Sequence, residues 1–209
     1  MRPLCVLLDW NGTVLDDLHI TYEAMREIFR RHGLPAPTME EYRNEIDSNF
    51  PKFYRDHGVR AAKEELVAIW QEVVTAHWEE AALHEGVPAF LRACLGEGLT
   101  LGIVSGEVPQ VLMERLEQFK LTHFFSVVRS AAWPKERALI GTLAFLGVRP
   151  EEAVYVDDTA EGIRTAKRLG LRAFGFTKGY ASPERIRNAE PHHAVSSFAE
   201  LYCLLTTAE

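Results

Sequence analysis

The hydrophobic positions of this chain fall into two regimes. Five apolar runs, LCVLL (4–8), LTLGIVS (99–105), FSVVRS (125–130), AVYVD (153–157) and RAFGF (172–176), are continuous rather than alternating. Continuous runs predict strands covered on both faces, as in a parallel sheet. Between the later runs the spacing turns helical. In VPQVLMERLEQF, Pro109 sits near the first turn, and Val111, Leu112, Leu116 and Phe119 recur at helical intervals. ERALIGTLAFLG and TAEGIRTAKRLG end on Gly147 and Gly170, which suit a helix C-terminus, and SSFAELYCLL opens with Ser197 and Glu200 at capping-box spacing.

Residues 17–85 carry the second regime. ITYEAMREIFRRHG spaces Ile20, Ala24 and Ile28 helically and stops at Gly33, while TMEEYRNEI starts with Thr38 and Glu41 at capping-box spacing. EELVAIWQEVVTAHW then repeats Leu66, Ile69, Trp70, Val73, Val74 and His77 at helical intervals. No strand is expected there. The pattern predicts an α/β protein: a doubly wound parallel-sheet, Rossmann-like core of residues 1–16 and 86–209, with an α-helical domain of residues 17–85 inserted after the first strand.

Composition narrows the partners. The chain has 209 residues, 47% hydrophobic and 25% charged, the balance of an ordinary globular protein. Its net charge of -7 and its short basic clusters, Arg30-Arg31 and Lys167-Arg168, argue against a nucleic-acid partner. No apolar stretch approaches membrane-spanning length, and MRPLCVLLD meets an acid too early for a signal peptide. A cytoplasmic protein with no membrane partner, monomeric or homodimeric, is expected. Cys5, Cys94 and Cys203 lack metal or disulfide spacing and lie in apolar runs, so all three are expected to be core thiols. His192 and His193 are adjacent on an expected strand and would face opposite ways, which weighs against a shared metal.

The chemistry gathers at the strand ends. In parallel α/β sheets ligands bind beyond the carboxyl ends of the strands. Those ends nominate Asp9, Ser105 with Gly106, Lys135, and the pair Asp157-Asp158. Carboxylates held together call for a cation, and an all-oxygen set suits Mg²⁺. Singly, each residue has a plainer reading: a turn at Ser105-Gly106, a solvated Lys135, a helix cap at Asp157-Asp158. Their occurrence at successive strand ends is what points to one site.

Four motifs then resemble the haloacid dehalogenase-like superfamily. They are DWNGTVLD at 9–16, LGIVSG ending on Gly106, WPKERAL around Lys135, and VYVDDTAEGIRTAKRLG with Gly162. The helical insert resembles the C1 cap of that superfamily, and the general pattern is similar to the phosphoglycolate phosphatase group. The resemblance implies a Mg²⁺-dependent phosphatase acting on a small phosphorylated metabolite. Asp9 would be the nucleophile that forms an aspartyl-phosphate. Asp9, Asp158, Asp157 and the backbone carbonyl of Asn11 would hold the metal. Asn11, Gly12, Ser105, Gly106 and Lys135 would surround the phosphate, while Thr13 and Asp16 would stabilise the turn.

One position departs from the family pattern. Where the family carries an Asp that protonates the leaving oxygen and then deprotonates the attacking water, this chain has Asn11, which keeps hydrogen bonding and loses proton transfer. Such acid–base assistance is worth roughly 10² to 10⁴ in rate. Three readings stay open: a phosphatase that is slow, restricted to good leaving groups, or assisted by His19, Glu23 or Lys52; a phosphonatase-like enzyme using Lys52 in a cap loop; or a non-catalytic phosphate-binding or regulatory protein.

Overall fold

The structure is a computed structural model that describes residues 3–47 and 50–207. Its strands are β1 (Cys5–Leu8), β2 (Leu15–Asp16), β3 (Ala82–Leu83), β4 (Thr100–Val104), β5 (Val127–Arg129), β6 (Ala153–Asp157), β7 (Arg172–Phe176) and β8 (His193–Val195). The helices are α1 (Leu18–Arg31), α2 (Met39–Glu45), α3 (Phe50–Asp56), α4 (Lys63–Ala76), α5 (Val87–Gly96), α6 (Pro109–Gln118), α7 (Lys135–Leu146), α8 (Ala160–Arg168), α9 (Pro183–Asn188) and α10 (Phe198–Thr206).

Six strands form one parallel sheet in the order β5-β4-β1-β6-β7-β8. The chain winds outward from β1 to β4 and β5, then returns to β6 on the other side. The topological switch therefore falls at β1. Register brings the strand ends level there, with Leu8 opposite both Ile103 and Val156. Side chains of alternate residues leave the sheet on opposite faces. Val6 and Leu8 join one fully buried cluster with Leu112 of α6 and Phe198 of α10, while Cys5 and Leu7 join another with Leu139 of α7 and Ile163 of α8.

The insert has its own apolar cluster. Met25, Ile28 and Phe29 of α1 meet Tyr42, Phe53, Tyr54, Leu66 and Ile69 from the next three helices. The Thr38–Glu41 capping box forms as expected. Where the chain enters and leaves the insert, β2 and β3 pair antiparallel, with Leu15 opposite Leu83.

Several features differ from the sequence expectation. The strand expected around His192 and His193 forms as β8, but it begins at His193, leaves His192 outside, and is too short to register as an apolar run. The strand β3 lies inside 17–85, where none is expected; two residues show no period, and only pairing with a partner far along the chain defines them. SNFPKFYRDHG forms α3 over its described part rather than a loop, with Pro51 in the first turn, where a missing N–H breaks no helical bond. Cys203 is exposed, because Phe198, Leu201 and Leu205 take the buried face of α10; Cys5 and Cys94 are buried.

Candidate active site

The loop after β1 is folded around its own backbone. Thr13, Val14 and Leu15 all donate to the carbonyl of Trp10. Gly12 has φ of +72°, and a Cβ there would stand 2.2 Å from Asp158 Oδ2, so both the turn and the close approach require glycine. The Gly12 carbonyl meets Nε2 of buried His84 at 3.2 Å, and the His84 amide donates to the Val14 carbonyl at 3.0 Å. Burial lowers the His84 pKa, which keeps the ring neutral, with Nε2 the donor.

At the switch point the strand ends bring acids together. Asp9, Asp157 and Asp158 are buried, and one carboxylate oxygen from each lies within 4.8 Å of the others. Lys135, from the first turn of α7, reaches between two of them, with Nζ 2.7 Å from Asp9 Oδ2 and 2.6 Å from Asp157 Oδ2. Asp157 also accepts from the amide and hydroxyl of Thr159. Asp158 accepts from Thr13 Oγ1 at 3.1 Å and from the amide of Tyr180 at 2.6 Å.

Three buried carboxylates stand against one ammonium, and burial raises two of them. Burial pushes Asp9 up to about 7, against the downward pull of Lys135. Burial first, then Asp157 and Asp9, push Asp158 well above the carboxylate range. Burial opposes the charge on Lys135, but Asp157 and Asp9 outweigh it and hold the ammonium well above its ordinary range. A divalent cation would relieve this cluster, and its oxygen-only donors fit a hard ion such as Mg²⁺.

A cavity of about 230 Å³ opens over these groups, and Asp9, Asn11, Ser105, Gly106 and Lys135 line it. Five of the predicted site residues thus share one opening. Asp157 and Asp158 reach the cluster from below, fully buried. Gly12 stands apart from the opening, because its N–H donates to Asp17 Oδ1 at 3.0 Å. Ser105 Oγ accepts from the amide of Glu107 at 3.1 Å.

Several participants escaped the sequence reading. Asp17, placed there as the first residue of the insert, is buried and ties the loop together: besides Gly12, it accepts from Asn11 Nδ2 at 2.9 Å and from the Tyr180 hydroxyl at 2.8 Å. Burial pushes it up to about 6, resisted by those hydrogen bonds. Glu107 is the second acceptor of the Asn11 amide, at 3.2 Å, and also lines the cavity. Thr13 and Tyr180 hold Asp158. A carboxylate two residues past Ser105 was the only available signal for Glu107; Tyr180, remote in sequence, offered none.

Of the suggested substitute acids, none approaches this opening. His19 is exposed, Glu23 pairs with Arg26 at 2.8 Å, and Lys52 is exposed on α3, 2.5 Å from Asp56. His193 stands edge-on to Phe174, while His192 Nδ1 accepts from the Ala173 amide, so the two serve different neighbours.

A doubly wound sheet with acids at its switch point defines an α/β protein with a candidate metal site, and comparison with known proteins gives its family. Residues 6–176 match the haloacid dehalogenase-like hydrolase family. The chain belongs to that family. It is 29% identical to "Probable phosphatase IndB" of Dickeya dadantii over 96% of this chain and 92% of that protein. It is 22% identical to a phosphoglycolate phosphatase of Pseudomonas putida, over 85% of this chain and 71% of that one. Among solved structures it superposes on a haloacid dehalogenase-like protein of Agrobacterium tumefaciens with a TM-score of 0.83, at 20% identity and 97% coverage of both chains. A predicted phosphoglycolate phosphatase of Haemophilus somnus gives a TM-score of 0.78 at 16% identity, with 98% of both chains covered. At these identities the structures speak to the fold.

Proposed function

We propose that this protein is a phosphatase that transfers the phosphoryl group of a small phosphorylated substrate to Asp9 and then to water. The observation that carries the reading is the Lys135 ammonium held between Asp9 and Asp157 at the level strand ends. Asp9 attacks phosphorus, forming a bond to one carboxylate oxygen as the ester oxygen leaves with its electron pair. Lys135 keeps Asp9 oriented and offsets charge on the transferring group. Ser105 and the Gly106 amide, both at the opening, bind phosphoryl oxygens. Asp9, Asp157, Asp158 and the Asn11 carbonyl would hold Mg²⁺, which supplies electrostatic stabilisation of the phosphoryl oxygens when bound.

The helical insert, residues 17–85, acts as a cap. Its seating supports this role: the Ser182 amide donates to the Arg43 carbonyl, Arg43 Nη2 donates to the carbonyls of Thr177 and Ala181, and Arg185 Nη1 donates to the carbonyls of Arg43 and Ile46. These contacts set the end of α2 over the opening, where Ile46 and Asp47 line it. Among the described residues, Lys52 pairs with Asp56 on the exposed face of α3, which does not favour the phosphonatase reading.

Release of phosphate from a panel of monoesters, with and without Mg²⁺, tests the proposal. Wild type is expected to turn over with Mg²⁺, and Asp9→Asn is expected to be inactive. Full activity in Asp9→Asn would refute it.

A further inference from the structure

Beside the phosphate-sized cavity lies a second one of about 790 Å³, under the helical insert. The two share Asn11, Gly106, Glu107, Trp133 and Tyr180 along their common border, together with Ile46 and Asp47 at the end of α2. A substrate phosphate in the smaller one would therefore direct its ester oxygen and the group behind it into the larger. The size lies in the range of roughly 300 to 1,000 Å³ typical of small-molecule sites, and the lining is what such sites use for flat apolar ligands. Tyr42, Phe50, Tyr54 and Trp70 come from the insert, and Trp133 from the core. Trp133 is 55% exposed, a large aromatic left open at the border of the two cavities.

Two further observations restrict the leaving group. Among the described residues that line it, the chamber carries the carboxylate of Glu107, the ammonium of Lys63, which stands 5.8 Å over the Phe50 ring, and Asp47, whose charge Arg185 feels at the border. A leaving group bearing its own carboxylate, as phosphoglycolate does, would meet like charge and fill little of the space. Independently, position 11 offers an amide already committed to Asp17 and Glu107, with no proton to give to a departing oxygen. An alkoxide needs that proton as it leaves, whereas an aryl oxide, a far weaker base, does not.

Resting on the phosphatase reading above, we propose that the substrate is the phosphate monoester of an aromatic hydroxyl compound, its phosphate at Asp9 and its uncharged ring in the chamber between Trp133 and the insert. The Asp9 Oδ–P bond forms as the P–O(aryl) bond breaks. The aryl oxide leaves with the electron pair and takes its proton from solvent. Hydrolysis of the aspartyl-phosphate that follows is common to every ester, so substrates differ in kcat/KM through the first step alone.

The test measures kcat/KM of the full chain with Mg²⁺ for naphthyl, phenyl and ethyl phosphates and phosphoglycolate. Naphthyl and phenyl esters have similar leaving-group acidity, so their ratio reports the chamber rather than intrinsic reactivity. Naphthyl phosphate is expected to exceed phenyl phosphate by about tenfold, chiefly through KM. Phosphoglycolate should fall at least about a hundredfold below phenyl phosphate. Trp133→Ala and Trp70→Ala should each lower the naphthyl-to-ethyl ratio, a readout that partial misfolding leaves unchanged because it scales both rates alike. Equal naphthyl and phenyl values, phosphoglycolate at or above the aryl esters, or an unchanged ratio in both variants would overturn this inference while leaving the phosphatase reading intact. Absence of Asp9-dependent release from every ester would overturn both.

Discussion

The side-chain amide of Asn11 donates to Asp17 at 2.9 Å, and this contact, with a second donation to Glu107, fixes what position 11 can do. Substituting Asn11→Asp puts a carboxyl against two carboxylates, and like charges favour its protonated form, which is the form needed to protonate a leaving oxygen. The variant is expected to raise kcat/KM on ethyl phosphate by roughly 10²-fold, with aryl esters gaining less than about tenfold. It should also lose about 1–3 kcal/mol of stability wherever the new acid ionises, since Asp17 then forfeits a buried donor. Steady-state kinetics on the two ester types, with a denaturant titration, check both halves.

Lys135 separates a structural from a catalytic demand. Its ammonium touches Asp9 and Asp157 inside a cluster of three acids. Lys135→Met keeps the stem and removes the charge, so Asp9 and Asp157 lose the cation that both touch. Breaking a buried pair in this way costs about 3–5 kcal/mol. The variant should unfold at lower denaturant, and Mg²⁺ should restore part of the stability while activity remains lost.

Legibility from sequence followed the range of the signal. Strands β1, β4, β6 and β7 were readable because burial on both faces leaves an unbroken apolar run, and the helices of the insert because their apolar residues recur locally. Asp9, Asp157, Asp158 and Lys135 were readable because a parallel sheet sends strand ends to one place. What pairing across distance creates was not readable: β2 with β3, Asp17 with Tyr180, Glu107 with Asn11. Asp17 illustrates the limit, since in sequence it resembles its neighbour Asp16 at a helix start. Only the fold buries Asp17 and leaves the Asp16 side chain 49% exposed.

Glycines in α8 and α7 make opposite predictions. A Cβ on Gly162 would lie 2.0 Å from Asp157 Oδ2, inside the acid cluster, whereas one on Gly141 meets nothing within 4 Å. Gly141→Ala should stabilise by about 0.5–1 kcal/mol through helix propensity. Gly162→Ala, in the first turn of α8, has no more propensity to gain than Gly141→Ala, so a net loss of stability, with a fall in kcat, marks the steric conflict. Thermal unfolding of the two variants side by side measures the difference.

The thiols differ by environment. Burial pushes Cys5 and Cys94 up to about 12, so near pH 8 both are protonated and shielded, while Cys203 faces solvent. Iodoacetamide on the native protein should label one thiol per chain, mapped by mass spectrometry to Cys203. Raising the pH toward 12 increases the thiolate fraction of the other two, and denaturation exposes all three.

A cation bound only by the folded acids must stabilise the fold. The carboxylates of Asp9, Asp157 and Asp158 meet only when β1 and β6 pair, so the unfolded chain offers no equivalent site. At a Mg²⁺ concentration about a hundredfold above Kd, linkage adds about 2.7 kcal/mol. For a domain of this size, about 2–4 °C per kcal/mol makes that a rise in Tm of roughly 5–10 °C. Asp158→Asn removes one metal-binding oxygen, and because burial already holds Asp158 well above the carboxylate range, little charge interaction is lost in the metal-free fold. It should therefore melt no lower than wild type without Mg²⁺ and gain far less with it. A Mg²⁺ shift in the variant equal to that of wild type would place the ion elsewhere, and calorimetry at matched ionic strength distinguishes the two.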